Sequence, residues 1–279
     1  MNNINERPVL VLGATGKTGS RVAVRLSDQG VGIRTASRHG SDVRFDWDDP
    51  TTYASALDGA RAVYLVAPVM RMDYAGVVSD FLDQAERGGI GHVTFLSAYG
   101  MQDVAPDVAI RAVELDLLSR SALTHSIIRP SWFMQNFSAT FLMPVNDTIV
   151  VPNGDGAEAF VDVDDIASVA AATLADPATH AGVAYAPTGP EALTITQTAE
   201  IVSAAVGRTI TYSAIDQDVW IDAMVAAGVP HDYTMMLRLL TSTVACGNGS
   251  RPNDDVLTVT GRPPISFVDF AVQAAPAWK

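Results

Sequence analysis

A single cysteine, Cys246, excludes an internal disulfide and a cysteine-built zinc site. Lysine is nearly as scarce: the sequence has only Lys17, inside a glycine-rich segment, and Lys279. No tyrosine is followed by lysine four residues later, so the standard pair, in which an ammonium prepares a phenol to protonate a substrate oxygen, cannot be assembled. His39, His92, His125, His180 and His231 are scattered without the short spacings that put two metal ligands on one face. No GxSxG elbow is present for a serine hydrolase. The longest apolar stretch, AVYLVAPVM, falls far short of the roughly 20 residues that span a bilayer. The opening MNNINERPVLVLG lacks the pattern of a secretory signal. These absences predict a cytoplasmic protein with no membrane partner and no metal.

Positive charge is also in short supply. Lys and Arg number 18 against 31 Asp and Glu, a formal net charge of −13. An acidic surface repels phosphate backbones, which argues against nucleic acid as a partner. At 279 residues, 48% hydrophobic and 18% charged, the chain can form one large lobe and a smaller one.

Within these bounds, strand-like and helical patterns alternate. Pro8 to Leu12, Gly32 to Ser37, Val43 to Phe45, Ala62 to Ala67, His92 to Ser97 and Ser126 to Arg129 read as strands. Thr18 to Gln29 reads as a helix, and Tyr74, Val77, Val78, Phe81, Leu82 and Ala85 form a strong amphipathic stripe. Single helices between strands imply a parallel sheet, and right-handed crossovers make it doubly wound. The expected fold is α/β: a Rossmann-type doubly wound parallel sheet with a smaller, interleaved C-terminal α/β lobe. Boundaries are expected at 1–153 for the nucleotide-binding domain, with 157–176 returning to it, and at 177–279 for the substrate lobe. Beyond Pro130, helices are expected over Trp132 to Leu142, Thr196 to Val206 and Trp220 to Ala227. Phe160 to Val163 should be a strand, and Asp165 should cap a helix that ends before Pro177.

The most informative segment is VLVLGATGKTGSRV. Gly13, Gly16 and Gly19 sit where a strand joins a helix. They allow a tight turn, close approach of a pyrophosphate and close helix packing. A diphosphate would rest on the free N–H groups of the helix N-terminus. The spacing is GxxGxxG rather than GxGxxG, but the strand-loop-helix context is the one the motif requires. A site that prefers NAD places a carboxylate at the end of the second strand. Here Thr35, Ala36, Ser37, Arg38 and His39 stand there, with no acid before Asp42. Arg38 can pair with a 2′-phosphate, so NADP is favoured and NAD remains possible. Asp46 is placed to accept from the adenine amino group, while Trp47 is either part of that site or a packing residue.

GATGKTG, the arginine-ended second strand, LSAYG, IIRPSWFMQNF and FVDVDDIA together resemble the NmrA-like group of atypical short-chain dehydrogenases. Pairing GATGKTG with WFMQNF also resembles its ergot-alkaloid (festuclavine dehydrogenase-type) branch, and quinone reductases share the fold. The resemblance implies that Gly13, Thr15, Gly16, Lys17, Thr18 and Gly19 hold the diphosphate. It places Arg38 at the 2′-phosphate and Asp46 and Trp47 at the adenine, and Ser37 is a further candidate for cofactor binding. Ala67, Pro68, Ser97 and Ala98 would lie under the ribose and nicotinamide. Many relatives carry a lysine four residues before a glutamate on the following helix. Here the glutamate is Glu114 and the other position is Ile110, a departure that argues against lysine-assisted carbonyl reduction.

Tyr99 and Ser97 are the candidate catalytic residues, since substrate binds beyond the carboxyl ends of the strands. Tyr99 is either a proton donor or a pocket wall. Glu114 lies on an apolar stripe, and a structural hydrogen bond to a backbone amide is its expected role. Phe133, Asn136 and Phe137 fall at helical spacing, as substrate-pocket lining or core. The expected activity is reduction by NADPH of a small electrophilic acceptor, cyclic imine, iminium or quinone-like. The alternative is a sensor that binds NADP(H) without turnover. The partner is a small molecule, and the protein a monomer or homodimer.

Overall fold

Val9–Leu12, the first strand β1, is buried on both faces, as a central parallel strand must be. The computed structural model describes residues 7–279. From β1 the chain turns into α1 (Gly19–Asp28), whose buried face is Val22, Ala23 and Leu26. β2 (Ile33–Ser37), β3 (Val43–Arg44) and α2 (Tyr53–Leu57) follow. β4 (Ala62–Val66) leads to α3 (Ala75–Arg87), which buries Val78, Phe81, Leu82 and Ala85, the stripe seen in the sequence. β5 (His92–Leu96), α4 (Ala109–Ser119) and β6 (Thr124–Ile128) complete the alternation.

The chain then runs through α5 (Asn136–Ala139), β7 (Thr148–Val151) and β8 (Ala157–Glu158). α6 (Val163–Ala175), α7 (Pro177–His180) and β9 (Ala184–Tyr185) come next. The remainder is β10 (Leu193–Thr194), α8 (Ile195–Val206), β11 (Thr211–Ala214), α9 (Gln217–Ala226), α10 (His231–Ala245), α11 (Asp255–Thr260) and α12 (Phe267–Ala274).

Seven strands form one sheet in the order β3-β2-β1-β4-β5-β6-β9, and each neighbouring pair is parallel. The order reverses between β1 and β4, so this is the doubly wound arrangement with its switch point beside the glycine loop. The two-residue edge strand β9 has no sequence signal of its own. It exists because Arg129 N–H donates to Tyr185 O at 2.7 Å and Ile127 N–H to Val183 O at 3.0 Å.

The chain divides into two compact units. Among the described residues, the first comprises 7–130 and 163–186, and the second 131–162 and 187–279. The first is built on Leu10, Leu12, Phe45, Tyr53, Phe81, Leu82, Phe95 and Leu117. The second gathers Phe137, Phe160, Trp220, Phe267, Phe270 and Trp278 around α8, whose start is fixed by a Thr194/Gln197 capping box.

Three local expectations are corrected. The helix expected over Trp132 to Leu142 shrinks to Asn136–Ala139. Trp132 O accepts from Val161 N–H and Met134 N–H donates to Val161 O, both at 2.9 Å, so those backbone groups are taken. The strand expected at Phe160 to Val163 is only the Phe133–Val161 bridge, because Val163 already begins α6. Asp165 does not cap α6. It lies with Asp164 in the first turn, where carboxylates complement the helix dipole.

Candidate active site

The loop between β1 and α1 depends on its glycines. Gly13 sits at φ +63°, the left-handed region that favours glycine. A Cβ on Gly19 would lie 2.3 Å from the Gly13 carbonyl oxygen, so the helix start can close on the loop only without a side chain. Thr15 and Gly16 are exposed at the tip. The N-terminus of α1 has no anion of its own: Thr18 makes no capping bond and the first turn holds no acid. Lys17 is half-buried, burial lowers its pKa, and no carboxylate lies within ion-pair distance of it among the described residues. An uncapped helix end, a desolvated ammonium and an exposed glycine tip fit the diphosphate of a dinucleotide.

At the end of β2, Ser37 is buried and its hydroxyl donates to His39 O at 2.5 Å, shaping the turn. Arg38 and His39 are exposed, and Arg38 has no ion pair among the described residues. A Cβ on Gly40 would lie 3.7 Å from Thr15 Cγ2, so this turn stands against the glycine-loop tip. Asp46 Oδ1 accepts from Asp48 N–H at 3.2 Å, and Oδ2 lies 3.6 Å from Arg44. Trp47 packs edge-on against Phe45, Tyr53 and Phe81 at 4.9, 5.9 and 5.4 Å between ring centres. Ala67 and Pro68, half-buried beyond β4, lead to exposed Val69 and Met70.

Beyond β5, Ser97 N–H donates to Ile128 O at 2.7 Å and Tyr99 N–H to Pro130 O at 3.0 Å, so Ser97, Ala98 and Tyr99 are pinned to the exit of β6. The Tyr99 phenol makes no hydrogen bond among the described residues. The Ser97 hydroxyl donates to Glu114 Oε1 at 2.6 Å. Glu114, 0% exposed, also receives Arg129 Nε and Nη2 at 2.8 and 2.9 Å and Arg111 Nη1 at 2.7 Å. Burial pushes its pKa up, but the bonds from Arg129, Ser97 and Arg111 outweigh that and hold it below the usual glutamate value. The expected backbone-amide partner is corrected to three side chains. Ile110 packs on the apolar core.

In the second unit, Phe133 forms the bridge to Val161. Asn136 Oδ1 accepts from the Thr140 hydroxyl at 3.1 Å. Phe137 is fully buried, edge-on to Phe160 and Phe267 at 5.0 Å each, and its carbonyl accepts from Trp278 Nε1 at 2.7 Å. Sequence reasoning missed Arg111 and Arg129; the available signals were the i,i+3 spacing of Arg111 and Glu114 on one helix and an arginine ending a strand just before Pro130. Among the described residues, no three His, Cys, Asp or Glu side chains gather as a metal site.

Fold and loop, with the oxidoreductases the chain resembles, define the class, an NAD(P)H-dependent oxidoreductase of the atypical short-chain dehydrogenase type. Residues 5–249 match the model of the NmrA-like family, and the chain belongs to that family. It is 34% identical to an uncharacterised oxidoreductase of Bacillus subtilis, over 99% of this chain and 98% of that one. It is 32% identical to a festuclavine dehydrogenase of Aspergillus fumigatus, over 97% and 98% respectively. Its fold matches an NADPH-dependent quinone oxidoreductase of Escherichia coli solved with NADPH, at a TM-score of 0.80 and 20% identity over 95% of this chain and 99% of that one.

Proposed function

We propose that the protein is a reductase that uses NADPH to reduce a small acceptor already electrophilic enough to need no primed proton donor, a cyclic imine or iminium or a quinone-like molecule. The observation that carries this reading is the state of the carboxyl end of β5. The Ser97 proton is committed to Glu114, and Ile110 stands where a lysine would prepare an acid. The quinone oxidoreductase whose fold this chain shares is named for an acceptor of this kind.

When bound, the nicotinamide supplies the hydride. The chain's part is to hold, orient and exclude. Gly13, Thr15, Gly16, Lys17, Thr18 and Gly19 bind the diphosphate. Ser37 shapes the turn from which Arg38 meets the 2′-phosphate, and Asp46 and Trp47 border the adenine. Ala67, Pro68, Ser97 and Ala98 floor the other half, with Tyr99 as pocket wall. Holding donor and acceptor at short range supplies most of what such a reaction needs. Among the described residues no helix is long and apolar enough to cross a membrane, and we place the activity in the cytoplasm on a small molecule.

The test is NADPH oxidation by purified protein with a panel of quinones, cyclic imines and simple ketones. Turnover of quinones or imines without ketones is expected. Equal or better turnover of ketones overturns the reading, and tight NADPH binding with no turnover of any acceptor supports a sensor.

A further inference from the structure

The Ser97 hydroxyl has one proton, and it donates that proton to a carboxylate oxygen 2.6 Å from its own oxygen. Glu114 is ionised because two guanidiniums donate to it, so it has no proton to return. A hydroxyl in this position can no longer donate to a ligand. It has lone pairs left, and it stands one residue beyond β5, on the β4-β5-β6 half of the sheet that serves the second nucleotide in a doubly wound site.

We infer that Glu114 is a positioning residue that fixes Ser97 as an obligate hydrogen-bond acceptor, and that what Ser97 accepts is the N–H of the nicotinamide carboxamide. The choice of donor follows from charge. Two arginines share one carboxylate, and no second carboxylate lies within ion-pair distance of either among the described residues. The surplus positive charge disfavours an ammonium as the group that donates to Ser97 and favours a neutral N–H. A ribose hydroxyl can donate or accept and gains nothing from a fixed polarity. The amide nitrogen can only donate. Ser97 is thereby a cofactor-orienting residue and not a proton source. This rests on the dinucleotide reading above.

The polarity can be reversed on purpose. Oε2 of Glu114 receives two guanidinium N–H groups, whereas Oε1 receives one guanidinium and the hydroxyl. In Glu114→Gln the amide oxygen therefore takes the Oε2 position and the NH2 faces Ser97. The serine must then accept from the amide and turn its own O–H outward.

The experiment is equilibrium binding, by calorimetry or tryptophan fluorescence, of NADP+ and its 3-acetylpyridine analogue, in which methyl replaces the amide NH2. No turnover is involved. Wild type is expected to prefer NADP+ about two- to tenfold, the range of one neutral hydrogen bond. Ser97→Ala should lose the preference and Ser97→Thr should keep it. Glu114→Gln should erase or invert it, because an outward O–H suits the acetyl carbonyl. A purely structural role for Glu114 predicts equal weakening of both ligands in Glu114→Gln, and that result overturns the proposal. So does a wild-type preference that survives Ser97→Ala, or no preference in wild type, while the dinucleotide reading stands in both cases. If neither dinucleotide binds wild type, that reading falls and the proposal with it.

Discussion

Asp42 turns back onto Thr35: its Oδ2 accepts from the Thr35 N–H and from the Thr35 hydroxyl, both at 2.8 Å. The first acid after β2 is therefore spent on the strand it follows and does not stand at the strand's end, where a carboxylate would bind ribose hydroxyls. Arg38 is the charged group left exposed there. Arg38→Ala should weaken NADPH about tenfold to a hundredfold more than NADH, the range of one charge-assisted contact. Fluorescence titration with both cofactors measures this, and equal weakening would remove Arg38 from the role.

The glycines of the loop separate binding from stability. In Gly19→Ala the added Cβ would press on the Gly13 carbonyl, and in Gly16→Val the side chain would enter the exposed tip proposed to hold the diphosphate. Both should lose dinucleotide affinity, with a native circular dichroism spectrum for Gly16→Val. Gly30→Ala is the control. Gly30 has φ +73° and open space around its would-be Cβ, so this variant should cost about 1 kcal/mol of stability and leave affinity unchanged. Retained affinity in Gly16→Val would contradict the assigned loop.

His92 gives the fold an acid-sensitive point away from the site. Its Nδ1 pairs with the Thr124 hydroxyl at 2.9 Å, and Thr94 and Ser126 flank Nε2 at 3.3 Å each. Burial, reinforced by His125, His180 and Arg61, holds its pKa down from 6.5 to about 4. The folded state keeps His92 neutral while the unfolded chain protonates it, so its contribution is present above pH 6.5 and is lost as pH falls towards 4. The loss is on the order of 3 kcal/mol. Denaturant unfolding of wild type and His92→Gln from pH 7 to 4 tests this. Wild type should fall more steeply, and parallel curves would rule His92 out.

Much of the first unit was legible in the sequence, for reasons visible in particular residues. Val9–Leu12 and the stripe Val78, Phe81, Leu82 and Ala85 carry their periods openly, and Gly13, Gly16 and Gly19 mark the turn between them. Glu114 could be recognised as a buried acid. Two of its partners could not, because Ser97 and Arg129 lie 17 and 15 residues away and meet it only once β5 and β6 are paired. The second unit was harder to read. The aromatic spacing of Phe133 and Phe137 suggested a long helix, yet the backbone around Phe133 pairs with Val161, 28 residues from Phe133. Local pattern yields there to a non-local hydrogen bond.

Tyr99 decides between the two chemical schemes. Its phenol stands beyond β5 with no hydrogen-bond partner among the described residues and no lysine four residues on to prepare it. Its main-chain N–H is fixed to Pro130 O, so Tyr99→Phe should keep the backbone in place. If orientation alone drives the reaction, Tyr99→Phe should keep most of its rate on quinones or imines, and wild type should barely touch simple ketones, whose developing alkoxide needs a donor. General acid catalysis contributes about 10² to 10⁴-fold, so the schemes are well separated. The measurement is kcat/KM for both proteins on both acceptor classes, beside the NADPH affinity of each. A loss within that range at unchanged NADPH affinity would make Tyr99 the acid and overturn the mechanism proposed here. Ser97 cannot take its place, because its only proton is held by Glu114.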